Sequence, residues 1–476
     1  MDKEFDIAII GRGTAAFSAA IKASEITTGG AKIAMIGYGP MGGTCVNVGC
    51  IPSKYILEVA KVYHKMKNSP FPGIESKYSS LDFKKVMETI KSLTWGERQS
   101  KYEEVLKFYP NVKVFDGKAT FLSEDKIEIN NEGQIFYIKA FNVIIATGSS
   151  PVSISDKVSR VKGEEILDSN TLWDIRELPE TLGIIGGGYV ALELGQALSF
   201  FGTRVTIIKS HETINRIGDM DMDTELMKSI GSENLNIKVG FSIKEVKKEN
   251  NFFVVTVQKN KENEELKFQS LMVANGRKPN LNGLNLEKAG VRYTDEGIIT
   301  DEYMVTSNPR IYAAGDVVKQ KLKLETIAAR EGTIAVNSIF GIRMESVREE
   351  LVPWGIFTEP QASFVGKTEE ELKRSGIEYE VSRIGLASVS KARIINETQG
   401  LFKVISRKND GVILGVQIIS PFATEIIMEG AYLIANGIHV DEIVAMTHIF
   451  PTIAEGIKLV AQSRSRDISK MSCCME

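Results

Sequence analysis

Histidine and cysteine are scarce, four of each in 476 residues, and tryptophan occurs only three times. Four cysteines cannot staple a chain of this length. They stand as two close pairs, Cys45 with Cys50 and Cys473 with Cys474, a pattern that suits redox or soft-metal chemistry better than a secreted disulfide scaffold. His64, His211 and His439 have no metal-ligand spacing and read as surface residues. Like charges never run to about five or six in succession. With a net charge of −3 there is no basic field to hold nucleic acid or anionic lipid, so neither is expected as a partner. No apolar run is long enough to span a membrane, and the first residues, "MDKEFDIAIIGRG", are acidic where a signal peptide would be basic. The expectation is a soluble, cytoplasmic protein. Short-period repeats and low-complexity segments are also missing.

What is present is enough apolar sequence, 43% against 25% charged, for large cores in about three domains. The run "DIAII" passes directly into "GRGTAAFSAAIKA", which predicts a buried parallel strand, a tight glycine turn and a helix. The same order recurs at "TLGIIGGGYVALELGQALSFFG". Two such units predict two bound nucleotides. Between them, alternating residues from "NVKVFDG" onward predict a small antiparallel meander ending in a strand "NVIIATG"; a second meander and strand precede "NGRKPN", and "SNPRIYAAGDVV" adds one more strand. The chain therefore divides into a first nucleotide-binding domain at 1–150 that resumes at 274–344, a second at 151–273, and a separate α+β domain at 345–476.

Gly11, Gly13 and Ala16 form G-x-G-x-x-A, and Gly186, Gly188 and Ala191 repeat it. The first glycine permits the turn, the second admits a pyrophosphate to the backbone, and the small third residue lets helix and strand approach. An acid at the end of the next strand would grip ribose hydroxyls, yet the first unit has Gly37 there and the second has Lys209. A cation at that position favours a 2′-phosphate and hence NADPH, with Arg204 and Arg216 as alternative partners. In "GGTCVNVGCIPSK", Cys45 and Cys50 lie beside glycines at the start of a predicted helix, where its dipole and a nearby lysine favour thiolate.

That segment resembles the redox-active stretch of the flavin-dependent pyridine nucleotide-disulfide oxidoreductases, and the resemblance extends over nearly the whole chain. It implies an α/β fold with two Rossmann-like domains, for FAD and then NAD(P)H, followed by a C-terminal α+β dimerisation domain, hence a homodimer. It further implies that Cys50 faces the flavin and Cys45 exchanges with substrate. Lys54 would lie near the flavin with Glu193 as its partner, and Tyr189 would gate the flavin face. Asp316, after Gly315, would hold the ribityl chain, while Gly43, Thr44, Thr147, Gly148, Gly276 and Arg277 would line the nucleotides.

Disulfide-reducing members place a histidine before a proline near the C-terminus, with a glutamate five residues on. Here "THIFPTIAEG" puts Phe450 before Pro451 and keeps Glu455; a phenyl ring relays no proton, and His448 is two residues away. The adjacent Cys473 and Cys474 resemble the tail pair of the family's Hg(II)-reducing branch, which captures the ion as substrate and passes it to the redox pair, Cys45 and Cys50 here. The resemblance thus implies NADPH-driven reduction of Hg(II) to Hg(0). The alternatives are a dihydrolipoamide dehydrogenase-like disulfide reductase, a tail redox pair, a prenylated "CCME" terminus, and a non-catalytic metal buffer.

Overall fold

The opening apolar run folds as strand β1 (Lys3–Ile10), whose last four residues are all buried, as a central parallel strand requires. In this computed structural model, residues 3–75, 80–154, 161, 165–213 and 218–471 are described, the side chain of Ser469 excepted. Two units partition the chain: one comprises residues 1–53, 87–152 and 276–347, the other 54–86, 153–275 and 348–476.

In the first unit β1 is parallel to β2 (Ile33–Gly37), which is parallel to β3 (Val112–Asp116). β4 (Lys118–Phe121) and β5 (Lys126–Asn131) run antiparallel to one another, and β5 runs antiparallel to β6 (Gln134–Ile145). β6 is also parallel to β1 and to the short strand Ile311–Ala313. The meander ends in the strand at "NVIIATG" as the sequence predicts, and its last strand and the first residues of "NVIIATG" are one strand of 12 residues. No glycine or proline interrupts 134–145, so the chain stays extended, pairing first with β5 and then with β1. Both faces of this sheet are covered. Helix α1 (Thr14–Ile26) lays Ala15, Ala16, Ala19, Ala20 and Ala23 against one face beside the helix Glu325–Ile339, and small side chains permit that close approach. Phe121, Ile127, Ile145 and Ile298 form the core on the other. The carboxyl ends of β1 and β2 thus reach one rim, where ligands of such sheets bind. Two further helices follow the first glycine turn: α2 (Gly43–Val48) and α3, which runs from Cys50 to Lys67.

The second unit repeats the strand–glycine–helix plan with β7 (Thr181–Ile185), α4 (Tyr189–Phe200) and β8 (Arg204–Lys209). Its parallel sheet has the order β9 (Leu235–Val239), β8, β7, β13 (Ser270–Val273). The intervening meander, β10 (Ser242–Glu249), β11 (Phe252–Lys259) and β12 (Glu262–Phe268), forms its own antiparallel sheet, because Gln269 breaks the chain before β13. The C-terminal part of this unit is a five-stranded antiparallel sheet: β14 (Trp354–Ile356), β15 (Gln361–Gly366), β18 (Ile413–Ser420), β17 (Leu401–Arg407) and β16 (Tyr379–Gly385), in that order. Helices α5 (Ala423–Ala435) and α6 (Glu455–Gln462) pack on it through Ile427, Ala431, Ile457 and Val460, giving a core separate from that of the parallel sheet. Among the described residues no helix is long and apolar enough to cross a membrane.

Candidate functional site

At the end of β1, Gly11 has φ +148°, and a Cβ there would overlap the Ala146 carbonyl oxygen. Only glycine fits. Gly13 is the N-cap of α1 and no side chain caps that helix, so its first N–H groups point at the turn. Gly43 closes on the same turn, since a Cβ on it would lie 2.7 Å from Gly13 Cα; Ala16 is fully buried. A pyrophosphate fits this cradle of bare backbone and unpaired helix N–H groups. The missing acid at position 37 also has a structural reason. A Cβ on Gly37 would lie 2.7 Å from Arg12 Cγ, so the arginine stem covers the end of β2. The Arg12 guanidinium donates to Gly39 O (3.1 Å), Phe115 O (3.0 Å) and Asp116 Oδ1 (2.6 Å).

The later loops of this unit form one hydrogen-bonded chain. Ser149 Oγ donates to Asp316 Oδ2 (2.6 Å), and Arg277 donates to Ser149 Oγ (2.8 Å), Ser149 O (2.6 Å) and Thr44 Oγ1 (3.1 Å). Thr147 Oγ1 donates to Asn280 O (2.9 Å), Gly148 O accepts from Asn280 N (2.9 Å), Gly276 O accepts from Val152 N (3.0 Å), and Gly315 N donates to Glu331 Oε2 (2.6 Å). These glycines and polar residues, spread over 44–316 in sequence, share the unit that holds the Gly11 turn.

Cys45 lies in α2 and Cys50 opens α3; no disulfide joins them. Their sulfurs and a carboxylate oxygen of Glu325 all lie within 4.8 Å of one another. Glu325 is the first residue of the helix Glu325–Ile339; its Oε2 accepts from the Cys45 thiol, and its Oε1 accepts from Thr14 Oγ1 (3.0 Å) and Tyr102 Oη (3.4 Å). The hydrogen bond to Cys50, then burial, then the negative charges of Cys50 and Glu325 push the Cys45 thiol well above the ordinary thiol range. Burial pushes the Tyr102 hydroxyl up to about 12, so it remains a donor to Glu325 at neutral pH. Sequence reasoning missed Glu325, Thr14, Tyr102 and Arg12. Glu325 stands 280 residues from Cys45 and carries no motif, whereas Arg12 sits inside the glycine motif, and the missing side chain at Gly37 is the one signal that could have drawn notice to it.

In the second unit Gly186 has φ +121° and a Cβ would overlap the Ala274 carbonyl; Gly188 is the N-cap of α4, again without a side-chain cap, and Ala191 is fully buried. Lys209 is not solvated. It is 4% exposed, its stem crosses Gly187, where a Cβ would lie 2.7 Å from Lys209 Cδ, and its Nζ has no hydrogen-bond partner among the described residues. Burial pulls its pKa down, with Asp223 and Glu212 opposing. A buried unpaired ammonium beside an uncapped helix start fits an anionic ligand such as a nucleotide phosphate. Arg204, by contrast, is exposed, and Arg216 lies outside the described residues.

Tyr189 opens α4 and is partly exposed. Lys54 Nζ donates to Glu193 Oε2 at 2.8 Å, Glu193 Oε1 accepts from Phe357 N at 2.9 Å, and the ammonium lies 4.4 Å from the Phe357 ring centroid. Glu193 is thus buried but fully engaged. Phe450 is 49% exposed, whereas His448 Nε2 meets Glu429 Oε1 at 3.1 Å. Glu455 opens α6; its Oε2 is buried without a partner among the described residues, and burial raises its pKa against the pull of His448 and Lys458. His64, partly exposed, stacks on Phe200 with ring centroids 4.0 Å apart. Cys473 and Cys474 lie outside the described residues.

Compared with known proteins, residues 5–332 match the pyridine nucleotide-disulphide oxidoreductase family, and residues 352–461 match its dimerisation domain, which supports a homodimer. The mercuric reductase of Staphylococcus aureus is 34% identical over 474 residues, 99% of this chain and 85% of that protein. That of Streptomyces lividans is 32% identical, covering 99% and 98%. The dihydrolipoyl dehydrogenase of Geobacillus stearothermophilus is 33% identical, covering 95% and 94%. Among solved structures, LpdA from Mycobacterium tuberculosis superposes with a TM-score of 0.86 at 23% identity (98% of this chain, 100% of that one). The HOCl-induced flavoprotein disulfide reductase RclA from Escherichia coli does so with 0.83 at 24% (96% and 99%). Both likenesses are of fold.

Proposed function

The chain belongs to the pyridine nucleotide-disulphide oxidoreductase family, an FAD-dependent class drawing on NAD(P)H, and we propose that within it the protein is an NADPH-dependent reductase of Hg(II) to elemental mercury. Relatives named mercuric reductase and dihydrolipoyl dehydrogenase are almost equally identical to it, so identity does not separate the branches. Phe450 carries the reading. A disulfide reductase must protonate a departing thiolate, and a phenyl ring stands where that branch has its histidine, while the nearest imidazole, His448, is engaged by Glu429. Delivery of a soft ion between thiolate pairs requires ligand exchange only.

When bound, FAD supplies a two-electron carrier between nicotinamide and dithiol. The chain's own part is positioning. Gly11 and Gly186 would give the two turns their bare backbone, and the uncapped helix starts at Gly13 and Gly188 would turn N–H groups toward the pyrophosphates of the flavin nucleotide and NADPH, the buried Lys209 ammonium answering the 2′-phosphate. Thr44, Thr147, Gly148, Gly276, Arg277, Gly315 and Asp316 complete the flavin-side loops. Lys54 is held by Glu193, so its charge keeps one place. Cys50 begins α3, where the helix N-terminus favours thiolate, while Cys45 retains its proton until it takes up a ligand. Cys473 and Cys474 of the neighbouring chain would take Hg(II) from a thiol complex and hand it to Cys45 and Cys50. Tyr189 would screen the flavin face, and Glu455 is left without a histidine partner at position 450.

The test is NADPH oxidation by purified protein in excess thiol, with and without Hg(II), comparing the parent with Cys473→Ala/Cys474→Ala. Mercury-dependent oxidation with release of volatile mercury is expected, weakened in the tail variant when bulky thiols carry the ion. Fast turnover of a small disulfide such as lipoamide with no response to Hg(II) would reassign the protein to the disulfide reductases.

A further inference from the structure

The thiol that exchanges with substrate has an acid at its side that the proposed reaction does not use. Glu325 Oε2 accepts from Cys45, while its Oε1 accepts from Thr14 Oγ1 (3.0 Å) and Tyr102 Oη (3.4 Å). Three donors converge on one carboxyl group, which suits the ionised form, an acceptor at both oxygens. Those bonds fix the charge in place, and the partners that make them, two hydroxyls and a thiol, do not offset it. Cations in the same loops are turned elsewhere: Lys323 Nζ donates to Asp316 O (2.9 Å), and Arg277 donates to Ser149 and Thr44. Cys45 and Glu325 are both only partly buried, so a molecule arriving at the sulfur meets the carboxylate charge on its way.

We propose that Glu325 is a specificity-determining residue for exchange at Cys45: its fixed negative charge disfavours anionic thiols and disulfides and favours neutral or cationic ones. The exchange itself keeps its ordinary course. The Cys45 sulfur, its proton released to solvent, bonds to one sulfur of an incoming disulfide; the bond between that disulfide's two sulfurs breaks, and the departing thiolate takes a proton from solvent. The carboxylate alters how often a partner of given charge reaches bonding distance. At roughly 6 Å in a water-like dielectric, one unit charge changes the rate about threefold, upward for a cation and downward for an anion, so the two differ about tenfold through Glu325 alone. The inference rests on the reading of Cys45 as the exchanging thiol and is independent of whether the enzyme reduces Hg(II).

The chain has four cysteines, so the FAD-loaded dimer carrying Cys50→Ser, Cys473→Ser and Cys474→Ser keeps Cys45 as its single thiol. Its modification is timed at low ionic strength with two ethyl methanethiosulfonates, one bearing a trimethylammonium group and one a sulfonate, each rate being divided by that of 2-mercaptoethanol with the same reagent. The Cys45 sulfur takes the thioalkyl group as a mixed disulfide and methanesulfinate leaves. The cation should react faster than the anion, and added salt should shrink the difference. Glu325→Gln, which keeps the side-chain shape, should lower the cation-to-anion ratio about tenfold. A change in the reactivity of the thiol itself affects both reagents alike and cancels in that ratio, and flavin absorbance reports that the variant is folded. A ratio in Glu325→Gln within about twofold of its parent, or a Cys45 that neither reagent modifies, would overturn the proposal. Mercury-dependent NADPH oxidation is scored on the protein with all four cysteines, so its absence bears on the substrate reading alone.

Discussion

Replacing Lys403 by Met should be among the most damaging single changes remote from the redox pair. Lys403 on β17 is 0% exposed, and its Nζ lies 2.8 Å from Asp219, 2.8 Å from Asp221 and 2.7 Å from Glu369. Without the ammonium, the three carboxylate oxygens remain within 4.8 Å of one another. Two unit charges about 4.8 Å apart repel by roughly 3.5 kcal/mol at an effective dielectric of about 20. Arg383, bonded to Asp221 and Glu369, offsets part of this for two of the three. Breaking a buried ion pair from one side costs about 3–5 kcal/mol, which we take as the expected loss near neutral pH. In the parent, burial pushes Asp221 and Glu369 up, but hydrogen bonds from Lys403 and its neighbours outweigh it and hold both below their ordinary 3.8 and 4.5. A depressed folded-state pKa gives stability present above the unfolded value and lost as pH falls through the folded one, so the gap between parent and variant must narrow in acid. At about 2.1 cal/mol/K of unfolding entropy per residue, a chain of 476 residues shifts by roughly 1 °C per kcal/mol, so calorimetry on the FAD-loaded protein should give a Tm drop of about 3–5 °C. A drop under about 2 °C, or one as large near pH 4 as near pH 8, would refute this account.

The His448–Glu429 contact titrates in the opposite sense. Its hydrogen bond raises the His448 pKa above 6.5 despite burial, so the stability it adds is full below about pH 6.5 and lost as pH rises through the raised value; His448→Gln should lower Tm more in mild acid than at alkaline pH, read by thermal melts across that range. Gly11→Ala, which forces a Cβ into the Ala146 carbonyl, should yield protein with little or no flavin, measured as the ratio of visible to ultraviolet absorbance. Lys209→Met should raise KM for NADPH about tenfold, or about 1.4 kcal/mol, with a smaller effect on NADH and on kcat, seen in steady-state kinetics with each nucleotide.

Local chemistry was legible in the sequence. The first glycine of each motif announces a tight turn because no side chain tolerates its backbone, and the cysteine segment announces the start of a helix, where Cys50 stands. Long-range geometry was not. Glu325 reaches Cys45 only because its helix packs on the same sheet face as α1, and nothing in "LETIAAREG" signals that neighbour. Alternation alone does not reveal that β6 is one extended run serving two partners in succession. The cation at Lys209 was legible, but its burial across Gly187 was not, being a property of how β8 meets the turn. The tail thiols remain legible in sequence only.

Arg12 and Gly37 also constrain how this protein can change over generations. An acid introduced at position 37 alone collides with the arginine stem; a small residue at position 12 alone opens a gap and strips Gly39, Phe115 and Asp116 of a donor. The two positions are therefore coupled by contact, so a side chain introduced at 37 is expected to need a smaller residue at 12 beside it.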